Sequence, residues 1–228
     1  MRTAAILPVK SFARAKQRLG ASVADQLRLA LARAMVSDVL LALSETAAIE
    51  LTIVVTREPL AAEAALELGA TVVDDDSEQG QSAAAMLGVA SALEQGFERV
   101  LCVPGDCPAL DPSELAELLA PRPRSTAGVV IGPDRHGTGT NGLLLDPPDA
   151  IEPSFGPDSC ERHRSLALER GLDCRIERLS SLLLDIDTGA DLQALRERLS
   201  EHAGRAERTR SVLDSRSPAE RLTTATQA

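Results

Sequence analysis

The stretch Thr3-Ala4-Ala5-Ile6-Leu7-Pro8-Val9 is an unbroken apolar run that stops on Lys10, and it reads as a buried first strand. Similar runs return at residues 51–56, 71–73, 100–103, 128–131 and 143–145, and the segment 175–178 also looks like a strand. Between them, residues 22–44, 58–68, 82–95, 112–120 and 161–170 have helical spacing and helix-forming composition. Ser22 is placed to cap the first of these helices, and Gly69, Gly96 and Gly171 stop three others. Strands alternating with helices are the mark of crossover units, so the chain reads as α/β, Rossmann-like, with helices on both faces of a mostly parallel sheet. The runs at 128–131 and 143–145 follow one another with no helix between, which predicts an antiparallel excursion and hence a mixed sheet. A last helix over 190–202 closes a single domain spanning residues 1–203. Residues 204–228 are polar with few apolar positions and read as a disordered C-terminal tail.

The 228 residues carry 34 acidic against 24 basic side chains, a net charge of -10 that disfavours nucleic acid or a membrane surface as partner. The substrate should be small. No apolar run approaches the length of a membrane span or a signal peptide, so the cytoplasm is expected. The four cysteines, Cys102, Cys107, Cys160 and Cys174, form no CxxC pair and have no histidine at zinc-ligand spacing, so they read as buried thiols. The sequence leaves the oligomeric state open, a homodimer included.

Ligands of such sheets collect where loops leave the carboxyl ends of strands, so those loops hold the candidates. After the first strand come Lys10, Arg14, Lys16 and Arg18, and Lys10 and Lys16 are the only two lysines beside twenty-two arginines. A compact ammonium on a flexible stem differs from an arginine fork, and four cations in one loop suit a phosphate. Asp106 ends the run 100–103 between Gly105 and a Cys-Pro turn, where a carboxylate could hold a divalent cation or cap the next helix. Asp185 and Asp187, two residues apart in an extended segment, project to one side while Ile186 faces the core. They repel unless a cation or water separates them; the alternative is an exposed loop with Thr188 capping the next helix. Asp74-Asp75-Asp76 reads as a solvated loop. Residues 135–142 and 154–159 read as flexible turns whose amides and hydroxyls suit a phosphate or carboxylate. Phe12 and Phe155, two of three phenylalanines, fall in these loops. His136, His163 and His202 have no recognisable catalytic companions.

Taken in order, Leu7-Pro8-Val9-Lys10, Lys16-Gln17-Arg18-Leu19, Pro104-Gly105-Asp106-Cys107-Pro108-Ala109-Leu110, Gly137-Thr138-Gly139-Thr140-Asn141, Phe155-Gly156-Pro157-Asp158-Ser159 and Asp185-Ile186-Asp187-Thr188 resemble the CofC/FbiD family of guanylyltransferases. The resemblance runs from about Thr3 to about Leu199. It implies a nucleotidyltransferase fold and transfer of GMP from GTP to a phosphorylated three-carbon acid, with release of pyrophosphate, in coenzyme F-420 biosynthesis. It makes Asp106, Asp185 and Asp187 magnesium ligands and Thr140, Gly156 and Ser159 contacts for the acceptor. Lys10, Arg14, Lys16 and Arg18, with Gly80 and Ser82, would meet GTP, Lys10 and Lys16 acting in catalysis with Asp106. Many members read Gly-Leu-Asn where this chain has Gly80-Gln81-Ser82, which leaves open what reads the guanine. Pro8-Val9-Lys10-Ser11 replaces the Arg-Met-Gly loop of the molybdopterin enzymes and cytidylyltransferases. Phosphoenolpyruvate is the favoured acceptor, because the near-absence of lysine suggests a GC-rich bacterial genome; 2-phospho-L-lactate and 3-phosphoglycerate are the alternatives. The downstream transferase of the pathway is the implied partner. Rival readings are a sugar-phosphate nucleotidyltransferase and a non-catalytic GTP-binding subunit.

Overall fold

The computed structural model describes residues 1–13, 19, 24–120, 128–201 and 204–215. Along them run β1 (Thr3–Val9), α1 (Asp25–Ser44), β2 (Leu51–Thr56), α2 (Pro59–Glu67), β3 (Thr71–Val73) and α3 (Gln81–Glu94). Then follow β4 (Arg99–Cys102), α4 (Pro112–Leu118), β5 (Gly128–Pro133), β6 (Thr140–Asp146), α5 (Ser159–Glu169) and β7 (Asp173–Ile176). A 3-10 turn (Ser180–Leu182), α6 (Gly189–Glu201) and α7 (Glu207–Asp214) complete the order. The strands form one sheet, β3-β2-β1-β4-β6-β5-β7, in which only β6 is antiparallel to its neighbours. The expected antiparallel excursion is therefore present, and its second strand is β6.

Pleat alternation along β1 divides the core in two. Ala5, Leu7 and Val9 join Val36, Val39 and Leu43 of α1 on one face, while Ala4 and Ile6 join Ala85 and Val89 of α3 on the other. The second contact is close: a Cβ at Gly88 would lie 2.4 Å from Ile6 Cγ2 and 3.2 Å from Val55 Cγ2. That fit brings α3 down onto β1 and β2 and sets where its first residues sit. A third cluster joins Leu31 and Met35 of α1 to Ile186, Leu195 of α6 and Leu213 of α7.

Three expectations need correction. Residues 204–215 are not a tail: α7 buries Thr209 and Leu213, and Asp38 of α1 accepts from the amides of Arg208 (3.2 Å) and Thr209 (2.8 Å) at its start. Charged residues between those positions hide the buried face in the composition. Residues 216–228 lie outside the described residues. Helix α1 starts at Asp25, later than expected, with Ala24 as its N-cap and no side-chain bond there; Ser22, read as the cap, lies outside the described residues. The turn expected over 135–142 is shorter, because β6 begins at Thr140 by pairing with Pro133 across a register shift. Among the described residues, no helix is long and apolar enough to cross a membrane.

Candidate active site

From β1 the chain winds outward to β2 and β3, whereas β4 lies on the opposite side of β1. The loops leaving β1 and β4 therefore diverge, and a crevice opens at their carboxyl ends. A cavity of about 270 Å³ fills it, lined by Pro8 and Val9 at the end of β1 and Lys10 just after it, by Pro104, Gly105 and Asp106 after β4, and by Asp187. Lys10 is exposed at its edge and Phe12 is buried in its wall. Two side chains that the sequence did not single out hold this loop: Glu58 accepts from the Phe12 amide (2.9 Å), and Arg28 donates to the Phe12 and Ala13 carbonyls (3.5 and 3.3 Å). Arg14, Lys16 and Arg18 lie outside the described residues.

At the far side of the cavity stand Gly80 and Gln81, the first residues at the α3 N-terminus, with Arg57, Asp75 and Glu78. Ser82 is engaged elsewhere, its hydroxyl accepting from the Phe155 amide at 2.8 Å. Nor is the aspartate run wholly solvated. Asp75 is buried and lines the cavity, closing its own turn by accepting from the Glu78 amide (3.1 Å), while Asp74 and Asp76 are exposed.

The carboxylates meet at the β4 side. The cap of α4 is Asp111, which accepts from the Ser113 amide at 2.8 Å, so Asp106 is not a helix cap. The Ile186 amide donates to the Asp106 carbonyl (3.2 Å), which lays the segment 185–187 beside Asp106. Ile186 is fully buried, and Asp185 and Asp187 project the other way, as the extended alternation requires. Burial and the Asp106 charge raise the Asp185 carboxyl above its ordinary range; a bond from Asn141 Nδ2 (3.2 Å) opposes this, and the Asp187 charge adds to it. The three aspartates thus share one field. Among the described residues no three carboxylate, thiol or imidazole side chains converge on a single ion position. A magnesium ion takes one or two carboxylates and fills its other positions with water and phosphate oxygens, so this donor set fits it.

Asp191 braces the segment. Its Oδ2 accepts from the amides of Asp187 (3.1 Å) and Thr188 (2.7 Å), and Thr188 Oγ1 accepts in turn from the Asp191 amide (3.3 Å). This reciprocal cap starts α6. Its Oδ1 pairs with Arg135 at 2.5 Å. Burial pushes the Asp191 carboxyl up, but the bonds from Thr188 and Asp187 and the Arg135 charge outweigh it and leave it below its usual range. Capping by Thr188 and a paired display of Asp185 and Asp187, weighed as alternatives from sequence, are both present.

The two turns expected to bind an acceptor are stitched together. The Cys160 amide donates to the Thr138 carbonyl (3.0 Å), and the Ser159 amide to the Gly156 carbonyl (3.1 Å). Gly156 sits at φ +114, a backbone state that a side chain would strain. Ser159 opens α5 with its hydroxyl buried, and that hydroxyl finds no hydrogen-bond partner among the described residues. Thr140 and Asn141 point to opposite faces of β6: Asn141 Nδ2 donates to the Leu182 carbonyl (2.8 Å) and to Asp185, while Thr140 Oγ1 lies 3.0 Å from His163 Nδ1. His163, fully buried, also receives the Ser154 amide on Nε2 at 2.8 Å and packs edge-on against Phe155. Burial and the neighbouring Arg162 charge push its pKa down to about 4. Sequence reasoning missed His163 because its partners are 9 and 23 residues away. Asp191 did leave a signal, since Thr188-Gly189-Ala190-Asp191 has capping-box spacing.

Comparison with known proteins agrees with this geometry. A Desulfovibrio desulfuricans structure described as a nucleotide-diphospho-sugar transferase superposes with a TM-score of 0.70 at 18% identity, covering 93% of this chain and 94% of that one. A nucleotidyl transferase from Methanothermobacter gives 0.58 at 20% identity, covering 88% and 98%. At such identities the likeness speaks for the fold. In sequence, a Conexibacter woesei protein named phosphoenolpyruvate guanylyltransferase is 51% identical over 215 residues, 94% of this chain and 96% of its own length. A Sphaerobacter thermophilus protein of the same name is 38% identical over 195 residues, covering 86% and 93%. Residues 3–209 match the family described as guanylyl transferase CofC like. With the crevice, the carboxylate segment and the stitched turns all inside that span, the chain belongs to the CofC-like guanylyltransferase family.

Proposed function

We infer that the chain transfers GMP from GTP to phosphoenolpyruvate, releasing pyrophosphate, and passes its product to the next transferase of coenzyme F-420 biosynthesis. The observation that carries this reading is the meeting of Lys10, Asp106 and Asp187 on one crevice at the β1/β4 divergence. The relatives' shared name supports the choice of acceptor. A phosphate oxygen of the acceptor attacks the α-phosphorus of GTP in line; the new P–O bond forms as the bond to the α,β-bridging oxygen breaks and pyrophosphate leaves. No general base is required, because the nucleophile is already an anion. Lys10 places a cation against the phosphates, where charge accumulates as the bond breaks. Thr140, Gly156 and Ser159, which do not line the cavity beside Lys10, would hold the acceptor, Ser159 offering its buried hydroxyl. One or two of Asp106, Asp185 and Asp187 would hold a magnesium ion, with water and phosphate oxygens filling its other positions, which when bound neutralises phosphate charge. Asn141 and Asp191 fix the carboxylate segment relative to the acceptor turns, so that orientation is set before substrates arrive.

The test is pyrophosphate release from GTP and magnesium with phosphoenolpyruvate, 2-phospho-L-lactate, 3-phosphoglycerate or sugar phosphates, the next transferase being added to trap the product. Phosphoenolpyruvate should give the highest kcat/KM. Preference for a sugar phosphate, or GTP binding without turnover on any acceptor, would remove the reading.

A further inference from the structure

We propose that His163 is a positioning residue that fixes Thr140 as a proton donor to the acceptor and fastens the facing Ser154–Gly156 turn to the same ring. The inference rests on the reading of Thr140, Gly156 and Ser159 as the acceptor cradle.

The tautomer follows from the geometry. A backbone amide can only donate, so the Ser154 N–H at 2.8 Å requires an unprotonated Nε2. A neutral imidazole keeps one proton, which must then be on Nδ1, and that N–H donates to Thr140 Oγ1 at 3.0 Å. The threonine hydroxyl is thus an acceptor toward the ring, and its own proton is left for something else. A phosphate or carboxylate, which only accepts, is the partner such a hydroxyl suits. In the other tautomer the ring would present an N–H to the Ser154 amide, and Thr140 would spend its proton on Nδ1.

The surroundings keep the ring neutral and in place. It is fully buried, and Phe155 meets it edge-on at 5.3 Å between centroids. Arg162, whose Nε donates to the Ser154 carbonyl and hydroxyl at 3.2 and 2.9 Å, opposes a second positive charge there. One ring therefore joins the first residue of β6 to the turn that leads into Gly156. Neither lip of the cradle shifts without breaking a bond to it.

The first test needs no variant. Nitrogen-15 spectra of the imidazole in the native protein at neutral pH should show a protonated Nδ1 and a bare Nε2; the opposite tautomer overturns the inference. Kinetics supply the second. His163→Asn can keep a donor at the Nδ1 position and His163→Gln an acceptor at the Nε2 position, while His163→Phe keeps ring packing and loses both bonds. His163→Phe and His163→Gln should raise the KM for phosphoenolpyruvate about tenfold, the range for one hydrogen bond to a charged group, with the KM for GTP unchanged and His163→Asn recovering most of the loss. Thr140→Val should show the same rise, and Thr140→Val combined with His163→Gln, which keeps the acceptor for the Ser154 amide, no more than Thr140→Val alone. If Thr140→Val leaves that KM unchanged, the acceptor reading fails and the inference with it. If Thr140→Val raises it and the two changes add, His163 acts independently of Thr140, and the inference alone fails.

Discussion

Mild acid should destabilise this protein through His163. In the folded chain, burial and Arg162 hold the imidazole neutral down to about 4, against 6.5 for the ordinary side chain. Between those values the unfolded chain binds a proton that the folded chain does not, so stability rises with pH across the window and falls as pH drops through it. Above about pH 6.5 the group costs nothing in either state; below about 4 both states are protonated and the loss levels off. The full interval is worth about 3 kcal/mol, of which about 2 kcal/mol is gone by pH 5, where most carboxylates are still ionised. That is a large part of the ~5–15 kcal/mol typical of a domain. Urea unfolding at pH 7, 6 and 5 measures it, with His163→Asn as reference. The comparison uses the change with pH, since the variant starts from a different stability. Wild type should lose about 2 kcal/mol more than the variant between pH 7 and 5. Equal slopes would mean that His163 takes up its proton in the folded state, and the burial argument would be wrong.

Asp106→Asn should lower kcat for GMP transfer by about a hundredfold or more, as for other single groups that stabilise transition-state charge; near-full activity at saturating magnesium would remove Asp106 from the site. Lys10→Arg keeps the charge but not the compact ammonium, so GTP kinetics should worsen several-fold, and unchanged kinetics would make the lysine incidental. At Gly88→Ala, overpacking against Ile6 at 2.4 Å should outweigh the gain in helix propensity and cost about 1–3 kcal/mol. Adding Ile6→Ala should cost less than the sum of the single changes, and strict additivity would refute the close approach. Asp38→Ala should destabilise by about 1–2 kcal/mol and speed hydrogen exchange at the α7 amides; unaltered exchange would mean that Asp38 does not anchor that helix.

What the sequence revealed and what it hid follow physical lines. Apolar runs bounded by loops located β1, β2, β4, β5 and β6, because a strand buried on both faces leaves an unbroken apolar record, whereas β3 is half-buried and β7 mostly exposed. The missing helix between 131 and 143 likewise exposed the antiparallel step. The bounds of β1, β2 and β3 fall where expected, while ends of the later strands move by up to three residues: β6 starts at Thr140, not 143, because polar Thr140 joins the sheet by pairing with Pro133 and leaves no hydrophobic trace. Helix α7 was lost to its charged exterior, although Ala206, Thr209 and Leu213 mark one face. In the site, Lys10, Asp106 and Asp187 were legible because each ends a strand or lies in an extended segment. His163, Glu58 and Arg28 were not, since each acts on backbone or hydroxyl groups distant in the chain. Asp75 was misread because a run of like charges gives no sign of which member turns inward.

The seam between β4 and β6 has a consequence for descent. On its β4 side lie the parallel strands whose loops line the crevice beside Lys10; on its β6 side, Asn141 and the Arg135–Asp191 pair bind the turn before β6 and the carboxylate segment into one block. Substitutions that adapt the site to another phosphoacid can accumulate within residues 128–163 while the crevice beside Lys10 stays untouched. On the proposed function, a lineage built on this sheet can change its acceptor while it keeps the crevice that would take GTP.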